Sequence, residues 1–387
     1  MLERFEFMTA GRIIFGNGVL RELPNLAKAF GERALVVTGS DAQRAAPVLT
    51  LLEDAHIRYH VFSVSGEPTV QTACNGVAHA RNFAAQLVVG IGGGGALDAA
   101  KAIAALATNQ GDPLDYLEIV GKAQPLTNAP LPYIAIPTTA GTGSEATRNA
   151  VLTAETQRVK VSLRSPLMLP RIALIDPSLT HSLPPHVTAS SGLDALTQLI
   201  EPFICRRANP ITDALCREGI TNAAWALPRA YADGNDAEAR EAMAYASLFS
   251  GIALANAGLG VVHGFAAPIG GMFGAPHGMI CACLLPHGMA ANVRALRAQD
   301  DAFARDRLMR FEEIALLLDA ESPEAEAAVE ALHALCARLN VPRLRDLGVP
   351  REAFSEIVQK AKVSNSMKAN PVALSDFELH AILDSAW

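Results

Sequence analysis

Residues 86–108 read QLVVGIGGGGALDAAKAIAALAT, and the fold turns on this stretch. Gln86–Gly90 is a short apolar run, as expected of a strand buried on both faces. Gly90-Ile91-Gly92-Gly93-Gly94-Gly95 makes a turn almost without Cβ atoms, and Ala96–Thr108 has helical length and composition. A bare turn opening a helix lets phosphate oxygens approach backbone N–H groups at the positive end of the helix dipole. Gly90, Gly92 and Gly95 satisfy G-x-G-x-x-G, but the run follows a later strand, not the first, so it is not the usual dinucleotide fingerprint. The competing reading is a tight turn that holds nothing. A turn this rich in glycine gives up backbone entropy, which favours close approach by a ligand.

The same alternation extends outward. Arg12–Phe15, Ala34–Thr38, Tyr59–Val64, Tyr133–Ile136 and Ile172–Ile175 read as further strands. Val19–Phe30, Ala45–Ala55 and Thr69–Phe83 read as helices between them. Strands alternating with helices imply a mostly parallel sheet covered on both faces. After Asp176-Pro177 the pattern turns helical, over Val187–Ile204, Pro210–Ala232, Asp236–Ala257, Phe303–Asp319, Glu324–Leu339, Arg351–Lys362 and Ser375–Asp384. Gly and Pro cluster between Pro268 and Gly278, where a loop is expected. The expected organisation is an α/β dinucleotide-binding domain over 1–178 and an all-helical domain over 179–387.

Composition narrows the function classes. The 387 residues carry a net charge of −7 and only 5% aromatics, so neither charge nor stacking favours nucleic acid. No uninterrupted apolar run reaches the roughly 18–20 residues of a membrane span. The six cysteines form no C-x-x-C pair, which suits a reducing cytoplasm, and the N-terminus MLERFEFMTA has no apolar signal core. Cys281 and Cys283, a C-x-C in an apolar run, read as packed thiols.

Two more segments carry chemistry. Pro137–Glu145, PTTAGTGSE, is a hydroxyl- and glycine-rich loop after a strand; it either holds phosphate, ribose or nicotinamide, or simply caps a helix. Ala189–Glu201, ASSGLDALTQLIE, sets Asp194 and Gln198 four apart, on one helix face. His263 and His277 follow in GLGVVHGF and GAPHGM. His181, His186 and His287 are read as structural.

GGGGALDAAK, IPTTAGTGSEATRNAV, GLDALTQLIE, VHGFAAPIGGMFGAPHG and KANP together resemble the iron-containing alcohol dehydrogenase family, in order and over nearly the whole chain. The resemblance implies a Rossmann-like α/β domain and a helical metal-binding domain of the dehydroquinate-synthase-like architecture, with the active site in the cleft between them. It implies NAD or NADP, a divalent metal such as Fe or Zn, a small alcohol or aldehyde substrate and a homodimer. By matching position, Gly93, Gly94 and Gly95 would contact the pyrophosphate; Asp98, Thr138, Thr139, Thr142, Asn149 and Lys160 would line the rest of the cofactor site. The metal positions would be Asp194, Gln198, His263 and His277, with both histidines as candidate catalytic groups.

Three departures stand out. The family has His where this chain has Gln198; an amide oxygen keeps the site charge but is a harder, weaker ligand, tilting the site toward an ion such as Mn²⁺. Many NAD-using members carry Asp where this chain has Gly39, followed by Ser40, so a 2′-phosphate is not repelled and NADP is expected to be accepted. The second His found four residues after the first downstream ligand is here Ala267. These departures keep other readings open: a metal-independent reductase like maleylacetate reductase, in which His277 or His263 polarises the carbonyl; a non-catalytic nucleotide-binding protein; and a lyase of the dehydroquinate-synthase type, whose basic clamps are not evident. Leu254, Phe265, Met272, Phe273 and Ser366 are expected, from position, to line a small apolar pocket.

Overall fold

The computed structural model describes residues 4–387. Two compact units emerge: Met8–Thr139 with Gly143–His181, and Ser182–Trp387 with Ala140–Thr142 and the described residues up to Phe7.

The first unit is a parallel sheet of β1 (Ile13–Phe15), β2 (Arg33–Thr38), β3 (Arg58–Ser63), β4 (Leu87–Gly92), β5 (Tyr133–Pro137) and a last strand, Ile172–Ile175. Between β5 and that strand lies an antiparallel hairpin, β6 (Asn149–Ala154) and β7 (Val159–Arg164), which makes Ile172–Ile175 β8. The spatial order is β1-β8-β5-β4-β2-β3. The central strands are apolar throughout because both faces are covered, by α1 (Leu23–Lys28) and α2 (Ala46–Asp54) on one side and α3 (Val70–Asn82) and α4 (Gly94–Thr108) on the other. Thr69 starts α3 with a capping box closed by Thr72.

The hairpin was not expected from sequence. The expected helix Val19–Phe30 is instead a 3₁₀ turn, Val19–Glu22, running into α1, where Pro24 in the first turn of α1 resets the chain.

The second unit contains α5 (Pro185–Ile204), α6 (Pro210–Ala232), α7 (Ala237–Asn256), α8 (Val261–Phe273), α9 (His277–Arg297), α10 (Ala302–Leu317), α11 (Ala325–Arg338), α12 (Phe354–Lys362), α13 (Asn365–Ala369) and α14 (Asp376–Ala386). Asn209–Thr212 and Ser375–Glu378 form capping boxes at α6 and α14. The loop expected over Pro268–Gly278 shrinks to Gly274, Ala275 and Pro276; Pro268 lies inside α8. Proline removes one helix bond there, but Phe265 and Ile269 are wholly buried, and that packing overrides local propensity. α9 is long and apolar enough to cross a membrane, yet 78% of its apolar window is buried, as in a core helix.

Candidate metal and cofactor sites

Asp194, Gln198 and Glu201 occupy one face of α5, at i, i+4 and i+7, and are 1%, 2% and 0% exposed. Three buried polar side chains on one stripe need partners. α8 brings them. Its free N-terminal donors are capped by Asn370 Oδ1, which accepts from Val261 N at 3.0 Å, and by Glu201 Oε1, which accepts from Val262 N at 2.7 Å. That fixes His263 in the first turn, with Nδ1 2.7 Å from Glu201 Oε2. After the break at Gly274, where φ is 67°, α9 begins at His277 and presents Cys281 one turn later.

Four donor atoms, from Asp194, His263, His277 and Cys281, lie within 4.8 Å of one another. Asp194 Oδ1 is 3.4 Å from His263 Nε2 and 3.7 Å from His277 Nε2. Cys281 Sγ is 3.8 Å from each of those nitrogens. Asp194 Oδ1 and Gln198 Oε1 are buried without a hydrogen-bond partner. Burial alone would push the Asp194 carboxyl up; His277, His263 and the Gln198 amide outweigh it and hold it at about 2. Burial also opposes charge on His263, but Cys281, Asp194 and Glu201 raise its pKa well above the usual histidine range.

The structure thus gathers three of the four expected metal positions, Asp194, His263 and His277, with Gln198 on the same helix face as Asp194. Cys281 and Cys283 are both buried free thiols as expected, but Cys281 adds a fourth donor atom beside the two imidazoles, whereas Cys283 points elsewhere and donates to the Pro342 carbonyl at 3.0 Å. Glu201 was missed as well, although a buried acid seven residues after Asp194 was a readable signal. Ala267, one turn after His263, is half-buried and offers no proton-relay group. Of the expected pocket residues, Phe265 is fully buried in the helical core, while Leu254, Met272, Phe273 and Ser366 are half-buried.

In the first unit, Gly93 caps α4, so the N–H groups of Gly94, Gly95 and Ala96 have no acceptor within the helix. Two of these glycines answer to internal packing. Gly92 has φ 150° and a Cβ there would meet Ala96 at 2.8 Å; at Gly95 a Cβ would meet the Gly66 carbonyl at 2.9 Å. Thr139 lies beside Gly93, where a Cβ would be 3.3 Å from its methyl. Thr138 is buried, and its N–H donates to the Gly92 carbonyl at 2.9 Å, tying the two loops together. Thr142 falls in the three-residue stretch grouped with the helical unit.

Asp98 is already engaged: its carboxylate accepts from Ser144 Oγ at 2.5 Å and Val151 N at 3.0 Å. Lys101, 1% exposed, reaches Ser144 O, Ser144 Oγ, Thr147 Oγ1 and Asn149 O at 2.7–3.0 Å. Burial lowers its pKa to about 8, and Asp98 and Glu145 keep it from falling further. Asp98 and Lys101 therefore brace the hydroxyl-rich loop from behind. Lys160 Nζ is buried 3.0 Å from Glu67 Oε1, in an ion pair without hydrogen-bond alignment, so its donors are unspent.

At Gly39, half-buried after β2, a Cβ would meet nothing within 4 Å, and Ser40 is exposed. The Asp41 carboxylate is turned into its own 3₁₀ turn, accepting from Gln43 N at 3.1 Å and lying 3.7 Å from Arg44. A cavity of about 760 Å³ lined by Thr9, Arg12, Asn25, Phe30, Leu167 and Arg171 contains none of these groups.

Comparison with known proteins agrees over nearly the full length. Residues 10–177 match the sequence family described as iron-containing alcohol dehydrogenase, and residues 188–387 match the C-terminal domain of the same family. Alcohol dehydrogenase 4 of Saccharomyces cerevisiae is 37% identical over 379 residues, 96% of each chain. The 1,3-propanediol dehydrogenase of Klebsiella pneumoniae is 35% identical over 391 residues, 99% of each chain. A crystal structure of a 1,3-propanediol oxidoreductase superposes with a TM-score of 0.92 at 34% identity, covering all of both chains. These relatives do not favour the maleylacetate-reductase-like, lyase or non-catalytic readings.

Proposed function

The chain belongs to the iron-containing alcohol dehydrogenase family and is an NAD(P)-dependent oxidoreductase that interconverts an alcohol with an aldehyde or ketone; on that premise we propose which of its residues do the work. Asp194, His263 and His277 hold a divalent metal, Fe²⁺ or Zn²⁺, with Gln198 at the fourth family position. The observation that carries this is a buried carboxylate oxygen of Asp194 left without a hydrogen bond and facing two imidazole nitrogens. A cation there supplies what the buried oxygen lacks.

When bound, the ion acts as a Lewis acid on the substrate oxygen, and the nicotinamide carries the hydride. The protein's part is positional. Glu201 accepts the His263 Nδ1 proton and so leaves Nε2 free to ligate. Asp194 supplies the negative charge that His277 and His263 keep ionised. With Ala267 where a proton relay is common, α8 offers no relay group there, and the proton would pass through water or the ribose hydroxyls of a bound cofactor.

For the cofactor, the orphan N–H groups at the start of α4 receive the pyrophosphate. Thr138, Thr139, Thr142, Asn149 and Lys160 line the remainder, while Asp98 and Lys101 hold the loop in shape. The open space at Gly39 and the inward turn of Asp41 support acceptance of NADP alongside NAD. We further propose a cytoplasmic homodimer, consistent with six free cysteines and with β1 lying at a sheet edge.

The test is elemental analysis of protein purified without added metal, with NADPH oxidation by short-chain aldehydes followed before and after chelation. Near-stoichiometric metal, with activity lost on chelation and restored by the ion, is expected. Turnover indifferent to chelator and to added ions would overturn the metal assignment and favour polarisation of the carbonyl by a protonated histidine.

A further inference from the structure

We propose that Cys281, rather than Gln198, completes the protein ligands of the metal, giving an Asp194–His263–His277–Cys281 set that selects Zn²⁺ over Fe²⁺ and Mn²⁺. The inference rests on the metal-assisted reading above and changes its ligand set.

Typical Zn–O, Zn–N and Zn–S bonds of about 2.0–2.3 Å give a tetrahedron with donor–donor edges of about 3.3–3.6 Å. Four edges of the cluster measure 3.4, 3.7, 3.8 and 3.8 Å, and every pair lies within 4.8 Å. Closing onto an ion needs movements of a few tenths of an ångström, within the reach of side-chain torsions. His277 and Cys281 stand one helical turn apart on α9, so one face of a rigid helix delivers both donors.

Cys281 is also the better placed donor: its Sγ stands 3.8 Å from the ring nitrogens of both His263 and His277, one helical turn from His277 on the same helix.

A Gln198 amide brings no charge, so Asp194 would be the one anionic ligand on a divalent ion, with the Glu201 carboxylate behind His263. A Cys281 thiolate balances the ion with Asp194. On binding, the thiol proton leaves to solvent and a sulfur lone pair forms the new bond; nothing is oxidised or reduced. Thiolate with imidazole is a soft-to-borderline donor set, which suits Zn²⁺ better than Mn²⁺. The His277 side chain is 30% exposed against 5% or less for His263 and Asp194, so the coordination sphere opens on the His277 side.

The experiment reloads chelator-stripped full-length protein with Co²⁺ and reads cobalt content together with near-ultraviolet absorption. A thiolate-to-cobalt charge-transfer band is expected in the wild type, in Cys283→Ser and in Gln198→Ala, and is expected to vanish in Cys281→Ser. In competition with a chelator, Cys281→Ser is expected to weaken Zn²⁺ binding beyond the roughly 10–100-fold that loss of an outer-shell partner costs, and Mn²⁺ binding much less. Bound cobalt without the band in the wild type, or a band that survives in Cys281→Ser, overturns the thiolate ligand and leaves the metal reading standing. Wild-type protein that retains no cobalt overturns both.

Discussion

Glu201 uses both carboxylate oxygens on α8: Oε2 lies 2.7 Å from His263 Nδ1 while Oε1 accepts from the neighbouring backbone N–H of Val262. One side chain thus caps a helix and holds the imidazole proposed to bind the metal, so the position of α8 and the chemistry of His263 cannot vary independently. Glu201→Gln keeps the size but removes the charge that holds the imidazole proton, and is expected to weaken metal affinity about 10–100-fold. Glu201→Ala also leaves a buried imidazole N–H and a helix-end N–H unpaired, and is expected to cost about 3 kcal/mol or more of stability. Chelator competition and denaturant unfolding measure the two effects. Unchanged metal affinity in Glu201→Gln would remove Glu201 from any role in ligand orientation.

Lys101 performs a comparable service for the hydroxyl-rich loop proposed to hold the cofactor. Its three-donor ammonium stands within hydrogen-bond distance of four acceptors on Ser144, Thr147 and Asn149 and 3.8 Å from Asp98. Lys101→Met preserves most of the volume but strands those acceptors and the half-buried Asp98 carboxylate, and is expected to destabilise the chain by about 3 kcal/mol. The surviving folded protein is expected to show raised KM for the cofactor with metal content unchanged. A variant with wild-type melting behaviour and cofactor KM would show that the loop needs no such brace.

How far the sequence foretold this follows from where its signals were local. ALVVT and QLVVG are apolar runs of strand length, and both became central strands of the sheet. The hairpin β6–β7 hid because β6, NAVLTA, lacks a clear polar–apolar alternation and its turn holds neither Gly nor Pro; Arg158 adopts φ 51° instead. Pro268 and its neighbouring glycines read as a loop, and only burial of Phe265 and Ile269 explains a helix through them. Within the site, Asp194, His263 and His277 were legible from spacing and resemblance. Cys281 was not, because a cysteine in an apolar helix looks the same whether its sulfur meets methyl groups or imidazole nitrogens. That distinction depends on which helix packs opposite.

Glu145, 2% exposed in the hydroxyl-rich loop, sets a pH dependence. Burial raises its pKa to about 7 from 4.5, although a backbone hydrogen bond and Lys101 pull the other way. Between those values the folded chain binds more protons than the unfolded one, so stability falls as pH rises. The contribution is fully present below pH 4.5 and lost by about pH 7, a change of roughly 2–4 kcal/mol for a fully buried carboxyl. Glu145→Gln stays neutral at every pH and is expected to flatten this limb and to be the more stable protein at pH 8. Parallel slopes for wild type and Glu145→Gln between pH 5 and pH 7 in urea unfolding would refute the assignment.

Gly39 offers the sharpest lever on cofactor choice. Its missing side chain leaves open space after β2, and Asp41, the nearest acid in sequence, spends its carboxylate on the turn that follows. A 2′-phosphate arriving there meets no opposing charge. Gly39→Asp adds a carboxylate that repels the phosphate and accepts the ribose hydroxyls of NAD. The ratio of kcat/KM for NADP to that for NAD is expected to fall by about 10-fold or more, about 1.4 kcal/mol of discrimination. Melting temperature is expected to change little, because a Cβ at this position touches nothing. If the ratio is unmoved while the variant folds normally, the adenine ribose does not lie at the end of β2, and Gly39 has no part in the proposed acceptance of NADP.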